Sequence, residues 1–197
     1  MEQSLTSMII DKVWRIAVGD TYQEYTKTWI DQGFDVETVE ATVPDTMPNN
    51  LKFGLKKKRI YGQKTSEFSD TEKAVCYSHY LLWKRCIEQN YPAIIIEHDT
   101  ELILPFPREW DVERLKYFCI GYNARFAPHT KYTPAAGYVL SVEGAKWLTN
   151  RFEKRKISFN VDHYLRLVRD TNPKEWAVKY AHQPEGNKST IEHRVIL

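Results

Sequence analysis

The run Tyr91-Pro-Ala-Ile-Ile-Ile-Glu-His-Asp-Thr-Glu-Leu-Ile-Leu104 constrains the architecture more than any other stretch of this chain. Ala93 to Ile96 forms a short apolar segment, led in by Pro92 and closed by acids, which is how a strand covered on both faces reads. Such a strand belongs in the middle of an α/β sheet, and ligands of open α/β sheets bind outside the carboxyl ends of the strands. Alternation along a strand would put Glu97 and Asp99 on one face and His98 on the other, the two carboxylates roughly 7 Å apart. That pair offers the oxygen donors preferred by Mg²⁺ or Mn²⁺, and a cation held by one or two protein groups keeps positions for substrate phosphates. Acids that are merely solvated at a strand end give the same pattern, so these residues alone leave both readings open.

A chain of 197 residues predicts a single domain over 1–197, with a long loop at 45–69 and a tail at 182–197 that either folds back over a site or frays. Its 13% aromatic content serves core packing or stacking surfaces for sugars and bases. The net charge of +2 is too small to argue for nucleic acid or membrane. Cys76, Cys86 and Cys119 show no C-x-x-C spacing, which predicts reduced thiols in a cytoplasmic protein. No signal peptide or run of about 18 apolar residues is present, so no membrane span is expected.

In chain order, Val13 to Val18 reads as a first strand, followed by a turn at Gly19-Asp20, a helix from about Tyr22 to Gln32 closed by Gly33, and a strand from Val36 to Val43. This is the opening of a βαβ unit with a parallel pair. Lys56 to Arg59 gives four consecutive cations within the long loop, a solvated face or a phosphate contact. Ser69-Asp70-Thr71-Glu72 is a capping box opening a helix over Thr71 to Asn90. Ser78 falls within its apolar stripe as a small packing residue, and His79 one step aside, toward solvent. Trp110 to Tyr117 suggests a short helix with Trp110, Leu115 and Phe118 inward, whereas Arg125 to Tyr132 has loop character. Pro134 to Leu140 reads as a strand, Ser141 as a helix cap, and Asn160 to His163 as the lead into a helical stretch that begins near His163 and runs through Val168.

Several chemistries are excluded. The chain has no P-loop, no dinucleotide-type glycine fingerprint, no Gly-x-Ser-x-Gly elbow and no His-Glu-x-x-His pair.

Three blocks together resemble glycosyltransferase family 25, which includes lipopolysaccharide and collagen galactosyltransferases. Thr71-Glu-Lys-Ala-Val-Cys-Tyr-Ser-His-Tyr is similar to the family's Gly-Glu-x-Gly-Cys-x-x-Ser-His block, and leads into Ile94-Ile-Ile-Glu-His-Asp, similar to its Glu-Asp-Asp motif. Ala135-Ala-Gly-Tyr-Val-Leu-Ser-Val-Glu-Gly-Ala-Lys is like its small-small-Tyr-apolar-apolar-Ser block followed by Gly-Ala-Lys. Val161-Asp162, with Gln183 and Ser189-Thr-Ile, is similar to its closing segment. Two departures stand out: Gly19-Asp20-Thr21-Tyr22 replaces an arginine-rich turn, and His98 replaces an acid.

The resemblance implies an α/β fold, a single GT-A-like (Rossmann-type) domain with a mostly parallel central sheet flanked by helices. It implies metal-dependent and generally inverting transfer of a hexose or pentose from a nucleotide-diphosphate sugar to an acceptor hydroxyl. By the same implication Mn²⁺ or Mg²⁺ is the cofactor, with Glu97, Asp99 and, by analogy with other GT-A enzymes, His182 as metal ligands, against the more ordinary reading of His182 as a solvent-exposed histidine. Donor-binding residues would be Val18, Gly19, Ser78, His79 and Glu97. Asp162 becomes the general base, or alternatively a residue that starts a helix. The acceptor is a surface glycan, or a hydroxymethylated base in DNA as for some viral enzymes. A sugar- or nucleotide-binding module without activity is the competing class, and His98 favours it.

Overall fold

The computed structural model describes residues 7–48, 52–54, 67–111, 117–123, 135–155, 157, 161–165 and 181–183. The expectations for Lys56 to Arg59, Leu115, Arg125 to Tyr132 and the chain after Gln183 lie outside the described residues.

The chain opens with β1 (Ser7–Ile9), β2 (Lys12–Ala17), α1 (Gln23–Ile30) and β3 (Asp35–Glu40). β2 pairs in parallel with β3, so the βαβ reading holds. Gly33 ends the α1 turn at φ +81, a backbone conformation that glycine adopts without cost, and donates to Ile30 O at 2.7 Å. α2 (Asp70–Glu88) starts at the expected capping box, in which Ser69 Oγ accepts from Glu72 N at 3.2 Å and Ser69 N donates to Glu72 Oε2 at 3.0 Å.

β4 (Ala93–Glu97) follows, and all four of its apolar residues are buried. Later elements are β5 (Glu101–Leu102), β6 (Glu109–Asp111), β7 (Tyr117–Cys119), β8 (Gly121–Asn123) and β9 (Gly137–Leu140). The last are α3 (Val142–Lys154), capped by Ser141 Oγ accepting from Gly144 N at 3.1 Å, α4 (Val161–Leu165) and β10 (Ala181–Gln183).

The main sheet has the order β3-β2-β4-β9-β7, with β4 at its centre. The expectation of a mostly parallel sheet requires correction. β2 pairs in parallel with β3 and β4, whereas β9 lies antiparallel to both β4 and β7, so the sheet is mixed. The residue pattern does not reveal this, because a four-residue buried strand is apolar whichever way it runs.

A second correction concerns 110–117. Glu109–Asp111 is a strand paired antiparallel with β1, and Tyr117–Cys119 is the edge strand β7. Trp110 and Phe118 do meet, with ring centroids 5.0 Å apart, but from two strands rather than along one helix.

Both sheet faces are covered. Ile95 joins Trp14, Trp83, Tyr138, Leu148 and Phe152 on the α2 and α3 side. Ile94 and Ile96 join Val13, Trp29, Phe34 and Phe118 on the other. The period-2 split of three consecutive isoleucines between two cores explains the uninterrupted apolar run. A smaller sheet, β5-β10-β8, holds the segment at 181–183. Among the described residues, no helix is long and apolar enough to cross a membrane. Cys76, Cys86 and Cys119 are buried and form no disulfide among the described residues.

Candidate active site

Glu97 is the last residue of β4 and sits level with Ile16 of β2, so its carboxylate emerges at the carboxyl edge of the parallel part of the sheet. The strand stops there. Thr100 N donates to Glu97 O at 3.1 Å, so 97–100 forms a turn, and the alternation expected to align Glu97 with Asp99 ends at Glu97. Asp99 is 7% exposed, and the His98 ring stacks on Tyr22 at 5.2 Å.

The second wall is the block of small residues before β9. Ala136 O accepts from Glu97 N at 2.9 Å and from Thr100 Oγ1 at 2.6 Å. Gly137 lies opposite Ile96, and a Cβ added there would stand 3.1 Å from Ile120 Cγ1. The absence of a side chain at Gly137 therefore leaves room for Ile120, just after β7, with Thr100 Cγ2 of the turn after β4 at 3.5 Å from the same position. Ala135 N in turn donates to Asp162 Oδ1 at 3.0 Å, which brings α4 to the same edge.

The third wall is α2. His79 was expected toward solvent but is 1% exposed, because five consecutive residues, Cys76 to Tyr80, are buried between the sheet and the rest of the chain. Its Nδ1 lies 2.9 Å from Tyr138 Oη, and its Nε2 faces Glu97 Oε1 at 3.8 Å. Burial outweighs the charge of Asp162 and holds the His79 pKa down to about 4, so the ring is neutral at pH 7. Ser78 spends its hydroxyl inside the fold: it accepts from Thr42 N at 2.9 Å and donates to Ala74 O at 3.0 Å.

Glu97, His79 and Asp162 thus converge, with the Ala135-Ala136 backbone between them. Val18 and Gly19 lie at the neighbouring end of β2. Val18 is 47% exposed, and Gly19, at φ +57, donates to the Glu40 carboxylate at 3.3 and 3.4 Å. The backbone of His182 pairs with Glu101 of β5, two residues after Asp99, and with Tyr122 of β8.

Arg15, not singled out from the sequence, lies beside this edge. It is 1% exposed, and its guanidinium bonds to Thr21 O, to His98 O at 3.4 Å and to Thr38 Oγ1 at 3.4 Å, tying the turn after β2 to the turn after β4. Burial lowers its pKa, against the opposing charges of Glu24, Asp20 and Asp99. A cation within an apolar strand was the available signal.

Glu97 and Asp99 together supply two carboxylates within one turn. This fits a Mg²⁺ or Mn²⁺ ion that draws further ligands from a bound phosphate. Among the described residues, no group of three His, Cys, Asp or Glu is placed to hold a metal.

A covered α/β sheet with carboxylates at the end of its central strand presents the edge at which open α/β sheets bind their ligands. Residues 22–111, just under half of the chain, match the family described as Glycosyltransferase family 25 (LPS biosynthesis protein). The family 25 resemblance of this stretch is thereby shown, and the stretch runs through Ser78-His79 and Glu97-His98-Asp99 but ends before Ala135 and Asp162. No curated protein matches the chain.

Proposed function

We propose that this chain is a metal-assisted glycosyltransferase moving a hexose or pentose from a nucleotide-diphosphate sugar to an acceptor hydroxyl. One observation carries the reading. The family 25 match contains both the α2 segment around His79 and the end of β4, and these meet within 3.8 Å at the carboxyl edge of the sheet. Glu97 and Asp99 would hold Mn²⁺ or Mg²⁺, which when bound stabilises the charge developing on the departing diphosphate. Val18, Gly19 and the turn that Arg15 fastens form the neighbouring lip for the nucleotide, with Ser78 and His79 shaping the wall behind Glu97.

In an inverting transfer, the acceptor oxygen forms its bond to the sugar carbon as the bond to the diphosphate breaks, and the hydroxyl proton passes to a base. Asp162 is assigned that role. One of its oxygens accepts from Ala135, which fixes the carboxylate beside the residues that contact Glu97. The family's description names lipopolysaccharide biosynthesis, which favours a surface glycan as acceptor over DNA.

The test is a panel of nucleotide-diphosphate sugars screened by thermal shift with and without Mn²⁺. A ligand at 100 times its Kd adds about 2.7 kcal/mol to stability. Stabilisation by one donor class that requires Mn²⁺ supports the reading, and a flat response across the panel contradicts it. Binding without transfer to any glycan or to hydroxymethylated DNA would instead indicate a binding module.

A further inference from the structure

A buried chain of hydrogen bonds behind Glu97 fixes where its protons lie. An indole nitrogen only donates, so Trp83 Nε1–H gives its hydrogen to Tyr138 Oη at 2.8 Å. Tyr138 is fully buried, and its own hydroxyl hydrogen needs an acceptor; His79 Nδ1, at 2.9 Å, provides one. With Nδ1 accepting, the neutral imidazole carries its hydrogen on Nε2. That nitrogen is buried without a hydrogen-bond partner among the described residues, and the group it faces is Glu97 Oε1 at 3.8 Å. A shift of about 0.8 Å closes the gap to a hydrogen bond.

We infer that His79 is a positioning residue whose Nε2–H, aimed by Trp83 and Tyr138, orients the Glu97 carboxylate at the end of β4. The inference rests on the reading of Glu97 as a donor-site carboxylate, and it changes what His79 does there. A side chain that is 1% exposed acts on a bound diphosphate through Glu97 rather than by touching it. The Ser-His pair in α2 then divides its work: Ser78 fastens the helix to the segment after β3, and His79 sets the carboxylate.

Two substitutions separate the ends of the ring. His79→Asn keeps a group near Nδ1 for Tyr138 and loses the one facing Glu97, whereas His79→Gln places an amide near Nε2 and gives up the Tyr138 contact. Loss of a partner that orients a ligating group typically costs about 10- to 100-fold in affinity or activity. The expected result is that His79→Asn weakens Mn²⁺-dependent nucleotide-sugar binding by about that factor while melting near the wild type. His79→Gln should melt lower yet recover much of the binding. The reverse ranking, or losses that simply follow melting temperature in both variants, would overturn the inference.

A second readout does not depend on the donor. ¹⁵N imidazole spectra of the wild type, with His79 identified among the six histidines by its loss in the variants, should show the Nε2–H tautomer, and its resonance should move in Glu97→Gln. An Nδ1–H tautomer, or a resonance indifferent to Glu97→Gln, refutes the positioning role. Wild-type protein that binds no nucleotide sugar refutes the reading of the site instead, and leaves the spectra to decide the role of His79.

Discussion

The Ala135 amide donates to Asp162 Oδ1 at 3.0 Å, so the first turn of α4 is fastened to the residue from which the chain enters β9. This contact gives Asp162 a structural duty beside the chemical one proposed for it, and the two are separable. Asn retains the acceptor oxygen but not the basicity. Asp162→Asn should therefore melt near the wild type while turnover falls by about 10²- to 10⁴-fold, the usual contribution of a general base. Donor affinity should hardly change, because the group acts on the acceptor's proton. Steady-state kinetics at saturating donor, with a melting curve beside them, check this; unchanged turnover would remove Asp162 from the mechanism.

The pH dependence of stability should carry the signature of His79. Its pKa falls from the ordinary 6.5 to about 4 on folding, so between those values the unfolded chain binds the extra proton. Stability therefore rises with pH through that window and is lost as pH falls from about 6.5 toward 4. The full effect is on the order of 3 kcal/mol for a group this deeply buried. Chemical denaturation of wild type and His79→Gln at pH 7 and pH 4.5 measures it. The acid-side loss should be smaller in the variant, and an equal loss in both would show that other groups carry it.

Asp99 and His98 should respond very differently to substitution. The acid is proposed to hold the donor's metal, whereas the His98 ring stacks on Tyr22, and its bond to Arg15 comes from the backbone carbonyl, which any residue supplies. Asp99→Ala should abolish Mn²⁺-dependent donor binding. His98→Asn should lose only the ring contact, about 0.5–1.5 kcal/mol of stability, and keep the donor. Calorimetric titration of donor into each variant with Mn²⁺ distinguishes them, and equal losses at both positions would contradict the proposed division of roles.

What the sequence made legible was local or strongly patterned. The capping box at Ser69 and Glu72 is complete within four residues, and the Ile94 to Ile96 run could not belong to a half-exposed strand. The direction of β9 was hidden because strand pairing is set by partners far away in the chain, and Leu140 finds Ala93 whatever the local residues prefer. Trp110 and Phe118 suggested one helix because an eight-residue spacing fits a helical stripe as well as two strands folded together. The family stretch around α2 and β4 was readable as residues, but the meeting of His79 with Glu97 was not. It depends on the buried hydroxyl of Tyr138, which accepts from Trp83 across the core, a contact between residues 55 positions apart that no local pattern encodes.

The central claim is that the end of β4 is where a nucleotide sugar gives up its diphosphate, and release of nucleoside diphosphate tests it most directly. Wild type and Glu97→Gln should be compared with the donor found by thermal shift, with and without Mn²⁺ and acceptor. Glu97→Gln keeps the shape of the side chain and removes its charge. Mn²⁺-dependent release by the wild type should rise with acceptor, and it should be lost in Glu97→Gln with the fold intact. Release that persists undiminished in Glu97→Gln, or a wild type that releases none, would contradict that claim.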